Sequence, residues 1–99
     1  MVRVQYDKEK IAEFCRRNQI RRLSFFGSVT REDFTSESDV DVLVEFEPGK
    51  RIGLFGFSHL ETELSELIGR KVDLNTPGGL SKYFKEEVLR EAEPVYAAP

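Results

Sequence analysis

Asp39 and Asp41 bracket Val40 in the stretch SDVDVLVEF. The two-residue period of a β-strand sends both carboxylates to one face. Two like charges at that spacing repel and raise a pKa unless a cation lies between them, so the pair fits a divalent ion. Magnesium suits such a pair, because it takes oxygen ligands, is held by one or two carboxylates, and leaves its other positions to water and substrate phosphates. The same spacing also occurs at solvated strand ends, and a D-x-D pair alone does not separate the two readings. Upstream, Gly27 and Ser28 close an apolar run, with residues 29–38 between them and Asp39. Glycine lets backbone approach an anion closely, and the N–H groups of a following turn, with the Ser28 hydroxyl, can donate to phosphoryl oxygens. An ordinary strand-ending turn is the alternative. A third acid, Asp73, stands between Val72 and Leu74, where strand alternation gives it the face opposite two core residues.

These residues need elements to hold them. Asp7 is an N-cap for a helix over residues 7–18, with Ile11, Phe14 and Cys15 at helical spacing and Asn18 at its end. Residues 22–27, RLSFFG, read as a buried strand running into a turn. Val40–Phe46 is β-branched and ends at Pro48 and Gly49, a second strand. Phe57, Leu60, Leu64, Leu67 and Ile68 mark one face of a helix that stops at Gly69. A short strand over Lys71–Asn75 precedes a break at Thr76–Gly79 and a last helix from Leu80 to Glu91, while Pro94–Ala98 either adds an edge strand or packs on the sheet. Strands alternating with helices predict an α/β (α+β) fold, a small mixed sheet covered by helices.

At 99 residues the chain predicts one domain over 1–99, so a second substrate-binding lobe is expected to come from another chain. Hydrophobic residues at 39%, including eight Phe, suffice for one small core without disulfides, and charged residues at 33% give a solvated surface. The lone Cys15 reads as a small buried residue. Neither an export signal nor a membrane span is indicated, and a cytoplasmic setting is expected. A net charge of -3 argues against direct nucleic-acid binding. The pairs Arg16/Arg17, Arg21/Arg22, Lys50/Arg51 and Arg70/Lys71 read mostly as solvated helix ends and turns. His59 reads as a surface residue. Phe25, Phe26, Phe55, Phe57 and Phe84 read as core, while Lys82 and Tyr83 open the last helix within reach of a ligand at the preceding turn.

The segment FFGSVTREDFTSESDVDVLVEF resembles the signature of minimal nucleotidyltransferases, the MNT-type antitoxins of the DNA polymerase beta-like nucleotidyltransferase superfamily. Gly-Ser, an arginine, Ser-Asp-x-Asp and an apolar strand follow in order, and the resemblance continues through GLFGFSHLETELSELIGRKVDLNTPGGLSKYFKEEVLREAEPVY. The chain departs from the common pattern at Thr30 and Glu32, where alanine and glycine are frequent. The resemblance implies a nucleotidyltransferase-like core in which Gly27 and Ser28 bind the triphosphate and Arg31 is the loop arginine. It makes Asp39 and Asp41 metal ligands and Asp73 the third carboxylate, with Mg2+ as cofactor and ATP as co-substrate.

It also implies transfer of a nucleoside monophosphate to a hydroxyl of a partner protein, a HEPN-type ribonuclease toxin, within a hetero-oligomer. In such chemistry two divalent ions stabilise the attacking and leaving oxygens of an in-line displacement. Two rivals remain at this point: an antitoxin that neutralises by binding alone, and a small-molecule adenylyltransferase. The absence of an acceptor lobe counts against the latter. The clustering of three acids counts against the former, because a pure binder has no need of them.

Overall fold

The computed structural model describes residues 2–99 and builds three helices and four strands, in the order α1 (Lys8–Arg17), β1 (Ile20–Phe26), β2 (Val40–Phe46), α2 (Leu54–Ile68), β3 (Val72–Asn75), α3 (Lys82–Glu91) and β4 (Glu93–Ala97). The strands form one mixed sheet ordered β3-β2-β1-β4; β2 is antiparallel to β1 and parallel to β3, and β4 is antiparallel to β1. The expected fold is the observed one. Pro94–Ala98, undecided in the sequence, supplies most of edge strand β4. The first strand begins earlier than expected, at Ile20, and the last helix later, at Lys82, because Thr76 and Pro77–Gly79 form a short 3-10 turn that delays it.

Local chemistry accounts for the element ends. Asp7 Oδ1 accepts from the amides of Glu9 (3.0 Å) and Lys10 (3.3 Å), while Arg16 and Arg17 occupy the last turn of α1 and complement its dipole. α2 ends at Gly69, whose left-handed φ of 77° lets its amide donate to the Ser65 carbonyl at 2.8 Å. Among the described residues no helix is long and apolar enough to cross a membrane.

The sheet has two differently covered faces. Val40, Val42 and Val44 are fully buried with Leu23 and Phe25 against Ile11, Phe14 and Cys15 of α1 and Leu60 and Leu64 of α2. On the other face Phe26 and Leu43 meet Val88 of α3. Burying each β2 valine contributes about 1.5–3 kcal/mol. A one-residue slip of β2 would turn all three to the thinly covered face, so this packing also fixes the direction of Asp41. Burial pushes the Cys15 thiol up to about 12, so it behaves as packing and not as a nucleophile. Phe25 and Phe26 are core as expected, and Phe57 is half-buried. Phe55 is 90% exposed and Phe84 48% exposed, contrary to expectation. Phe55 lies in the first turn of α2, ahead of the residues that reach the sheet.

The outer edge of β3 is closed by α2. The amide of Val72 donates to Ser65 Oγ at 3.0 Å and that of Leu74 to Glu61 Oε2 at 2.8 Å. Glu61→Ala is therefore expected to destabilise the protein by about 1–3 kcal/mol in urea unfolding, because it leaves a part-buried amide unpaired. Glu61→Gln, which keeps an acceptor oxygen, should retain most of that stability.

Candidate functional site

The register of the parallel pair places Asp41 directly beside Asp73, and the antiparallel register places Asp41 opposite Phe26. Neighbours across a sheet share a face, so both carboxylates project toward the α3 side, at the end of β1 where Gly27 begins a turn. That turn, Gly27–Thr30, is a single 3-10 turn closed by the Thr30 hydroxyl donating to the Gly27 carbonyl at 2.8 Å and the Arg31 amide donating to the Ser28 carbonyl at 2.9 Å. Gly27 has φ 75°, and a Cβ built there would overlap Asp41 Oδ2. Only glycine lets the turn approach this carboxylate so closely.

Asp39 precedes β2 by one residue and is about half exposed, with Lys71 Nζ 4.0 Å from its Oδ2. Arg31, also half exposed, lies 3.2 Å from Asp33 and 3.9 Å from Glu91 of α3, a cationic link between the turn and the helix. A cleft of about 450 Å³ opens here, lined by Phe26, Gly27, Arg31, Asp41, Phe84 and Glu87, with Val88 and Glu91 beside them. His59 is exposed. Lys82 and Tyr83 are exposed and do not line this cleft.

Burial is the main reason the Asp41 carboxyl is pushed up to about 6, and the neighbouring charges of Asp73 and Asp39 add to it; Arg31 opposes them, and a hydrogen bond with Asp73 raises it further. Below about pH 6 this carboxyl holds a proton, and at higher pH its charge is left for a cation to neutralise. Among the described residues no three Asp, Glu, His or Cys side chains are already gathered into a set that could hold an ion. The close pair is Asp41 and Asp73, and Asp39 is turned toward Lys71. Two adjacent carboxylates without a sufficient countercharge fit a magnesium ion, whose remaining positions go to water and phosphate. α3 forms a wall of this site that its sequence pattern does not announce. Residues 84, 87, 88 and 91 share one helical face, so Phe84, expected in the core, lines the cleft instead.

The description "nucleotidyltransferase domain" matches residues 8–95 of the chain. A Methanocaldococcus jannaschii protein, provisionally named a protein adenylyltransferase, is 36% identical over 88 residues, which cover 89% of this chain and 92% of the relative. The protein adenylyltransferase MntA of Thermococcus cleftensis is 38% identical over 79 residues, covering 80% of this chain and 78% of its own. Among solved structures, the complex of a tri-AMPylated Shewanella oneidensis HEPN toxin with an MNT antitoxin aligns with a TM-score of 0.67. That alignment covers 92% of this chain and 70% of the other, and at 18% identity it establishes likeness of fold.

Proposed function

The chain belongs to the nucleotidyltransferase domain family and is an enzyme of that class, and from that premise we propose that it transfers AMP from ATP to a hydroxyl of a partner protein, as the antitoxin of a HEPN-type toxin in the cytoplasm. The observation that carries this reading is the juxtaposition of Asp41 and Asp73 in register, with Gly27 pressed against Asp41 at the mouth of a cleft. The names of the relatives support a protein acceptor, and the AMPylated toxin beside a similarly folded antitoxin supports the partner.

In this mechanism the Gly27–Ser28 turn cradles the triphosphate and Arg31 offsets its charge. Asp39, Asp41 and Asp73 would hold magnesium, and the ion would supply charge stabilisation at the α-phosphate as the adenylyl group transfers. The acceptor oxygen attacks the α-phosphorus, the bond to the β-phosphate oxygen breaks, and pyrophosphate leaves. Asp73 is exposed and next to Asp41, which suits it to receive the hydroxyl proton.

Incubation of the chain with ATP, magnesium and a co-encoded HEPN protein should add AMP to that protein, read by intact-mass spectrometry, and the Asp39→Asn/Asp41→Asn variant should add none. Neutralisation of the toxin by that variant, with no mass gain from the wild type, would instead establish occlusion by binding.

A further inference from the structure

We propose that Arg70 is the positioning residue that fixes the backbone leading into Asp39, an inference that rests on reading Asp39 as a metal ligand. Residues 31–38 form neither helix nor strand. The last four of them close on themselves: the Thr35 amide donates to Ser38 Oγ at 3.0 Å, the Ser38 amide to the Thr35 carbonyl at 3.1 Å, and the Glu37 amide to Thr35 Oγ1 at 3.3 Å. These bonds shape the turn without anchoring it to the sheet.

Arg70 supplies the anchor. Its Nη2 donates to the Thr35 carbonyl at 2.9 Å and the Ser38 carbonyl at 2.7 Å, and its guanidinium carbon lies 4.6 Å from the centroid of the Phe34 ring. The next residue continues the hold, because the Lys71 carbonyl accepts from the Val40 amide at 2.8 Å. Both neighbours of Asp39 are therefore tied to consecutive residues, Ser38 to the Arg70 side chain and Val40 to the Lys71 backbone. Arg70 is itself set on a firm post, since its amide donates to the Ser65 carbonyl at 3.2 Å where α2 terminates.

A planar guanidinium can bridge two carbonyls and stack on a ring at once, whereas an ammonium offers a point charge on a flexible stem. Arg70 does not line the cleft, and its side chain acts through the backbone ahead of Asp39, at Thr35 and Ser38, and through the Phe34 ring. Groups that orient metal ligands commonly change metal affinity or activity by about 10–100-fold when removed.

The test uses the whole chain and the variants Arg70→Ala, Arg70→Lys and Phe34→Leu, the last removing the stacking face while leaving both carbonyl bonds. Mn2+ affinity by calorimetry, kcat and KM for ATP, thermal melting, and hydrogen exchange at residues 36–40 are measured. Arg70→Ala should weaken Mn2+ binding or lower kcat by about 10–100-fold and speed exchange at Ser38 and Val40, while residues 42–46 of β2 stay protected. Arg70→Lys should show a smaller loss than Arg70→Ala, and Phe34→Leu a smaller one still. Wild-type Mn2+ binding and turnover in Arg70→Ala, with only a lower melting temperature, would overturn the proposal. A wild-type chain that neither binds Mn2+ nor transfers AMP would overturn the underlying reading instead, a separate and recognisable outcome.

Discussion

Asp41→Asn is expected to abolish nucleotidyl transfer while making the metal-free protein more stable. The loss of activity follows from removing the carboxylate that Gly27 and Asp73 both abut, and charge stabilisation of this kind is worth about 10³-fold or more in rate. The gain in stability follows from the same crowding. In the folded chain the Asp41 carboxyl is pushed up to about 6 from 3.8, mainly by burial and then by Asp73 and Asp39. The folded state thus binds this proton more tightly than the unfolded chain does. The stability it contributes is fully present below the unfolded value and is lost as pH rises through about 6. Asparagine carries no such penalty. Because Asp41 is only partly buried, solvent screening reduces the difference at pH 7 to on the order of 1 kcal/mol. That corresponds to a rise in melting temperature of about 4–8 °C. Melting curves in chelator from pH 4 to 7 should show the gap between variant and wild type opening across this window, and magnesium should close it. Equal melting at pH 7 would contradict the crowding argument, and retained transfer would contradict the role of Asp41.

Gly27→Ala should lower transfer by about 10²-fold or more, whereas Gly49→Ala should leave it near wild type. Both glycines have positive φ, 75° and 85°, so each substitution carries a similar left-handed backbone penalty of about 1–2 kcal/mol. They differ in what a new methyl meets. At Gly49 there is nothing within 4 Å, and at Gly27 there is the Asp41 carboxylate. The alanine at 27 must push either the turn or Asp41 aside, and displacements near 1 Å in a reacting geometry cost about 10²-fold. Urea unfolding and pyrophosphate release measured on both variants separate backbone strain from the steric effect. Comparable turnover in the two would show that the tight approach of the turn to Asp41 is dispensable.

Part of this arrangement was legible because strand alternation is a local rule. It set Asp41 and Asp73 away from the core aliphatics beside them, and the valines of β2 named their own core side; Asp39, one residue ahead of β2, escapes that rule and is turned toward Lys71. Which residue of β3 would stand beside Asp41 was not legible, since that register depends on how the α2 crossover packs and not on either strand alone. The wall formed by Phe84, Glu87 and Val88 was hidden for a related reason: an apolar stripe has the same spacing whether it covers a core or roofs a cleft. Phe55 misled because composition favours buried phenylalanine, while its place in the first turn of α2 takes it past the sheet. The role of Arg70 was invisible, because a guanidinium bonded to backbone carbonyls leaves no pattern in the residues it holds. β4 stayed undecided because Pro94 weakens any strand signal, and an edge position is where a proline is tolerated.

The closure of β3 by Glu61 and Ser65 also governs how these molecules meet one another. An exposed strand edge is a template on which another chain can add by backbone pairing, the route to domain swapping and fibrous aggregation. On the side that carries Asp73 the outward amides of Val72 and Leu74 are already engaged, so that template is absent. Sheet growth is left to the opposite border at β4, where Pro94 interrupts the row of donors. A crowded or heated solution of this protein should therefore resist polymerisation through its sheet, and substitution of Glu61 and Ser65 together would open the β3 border to it.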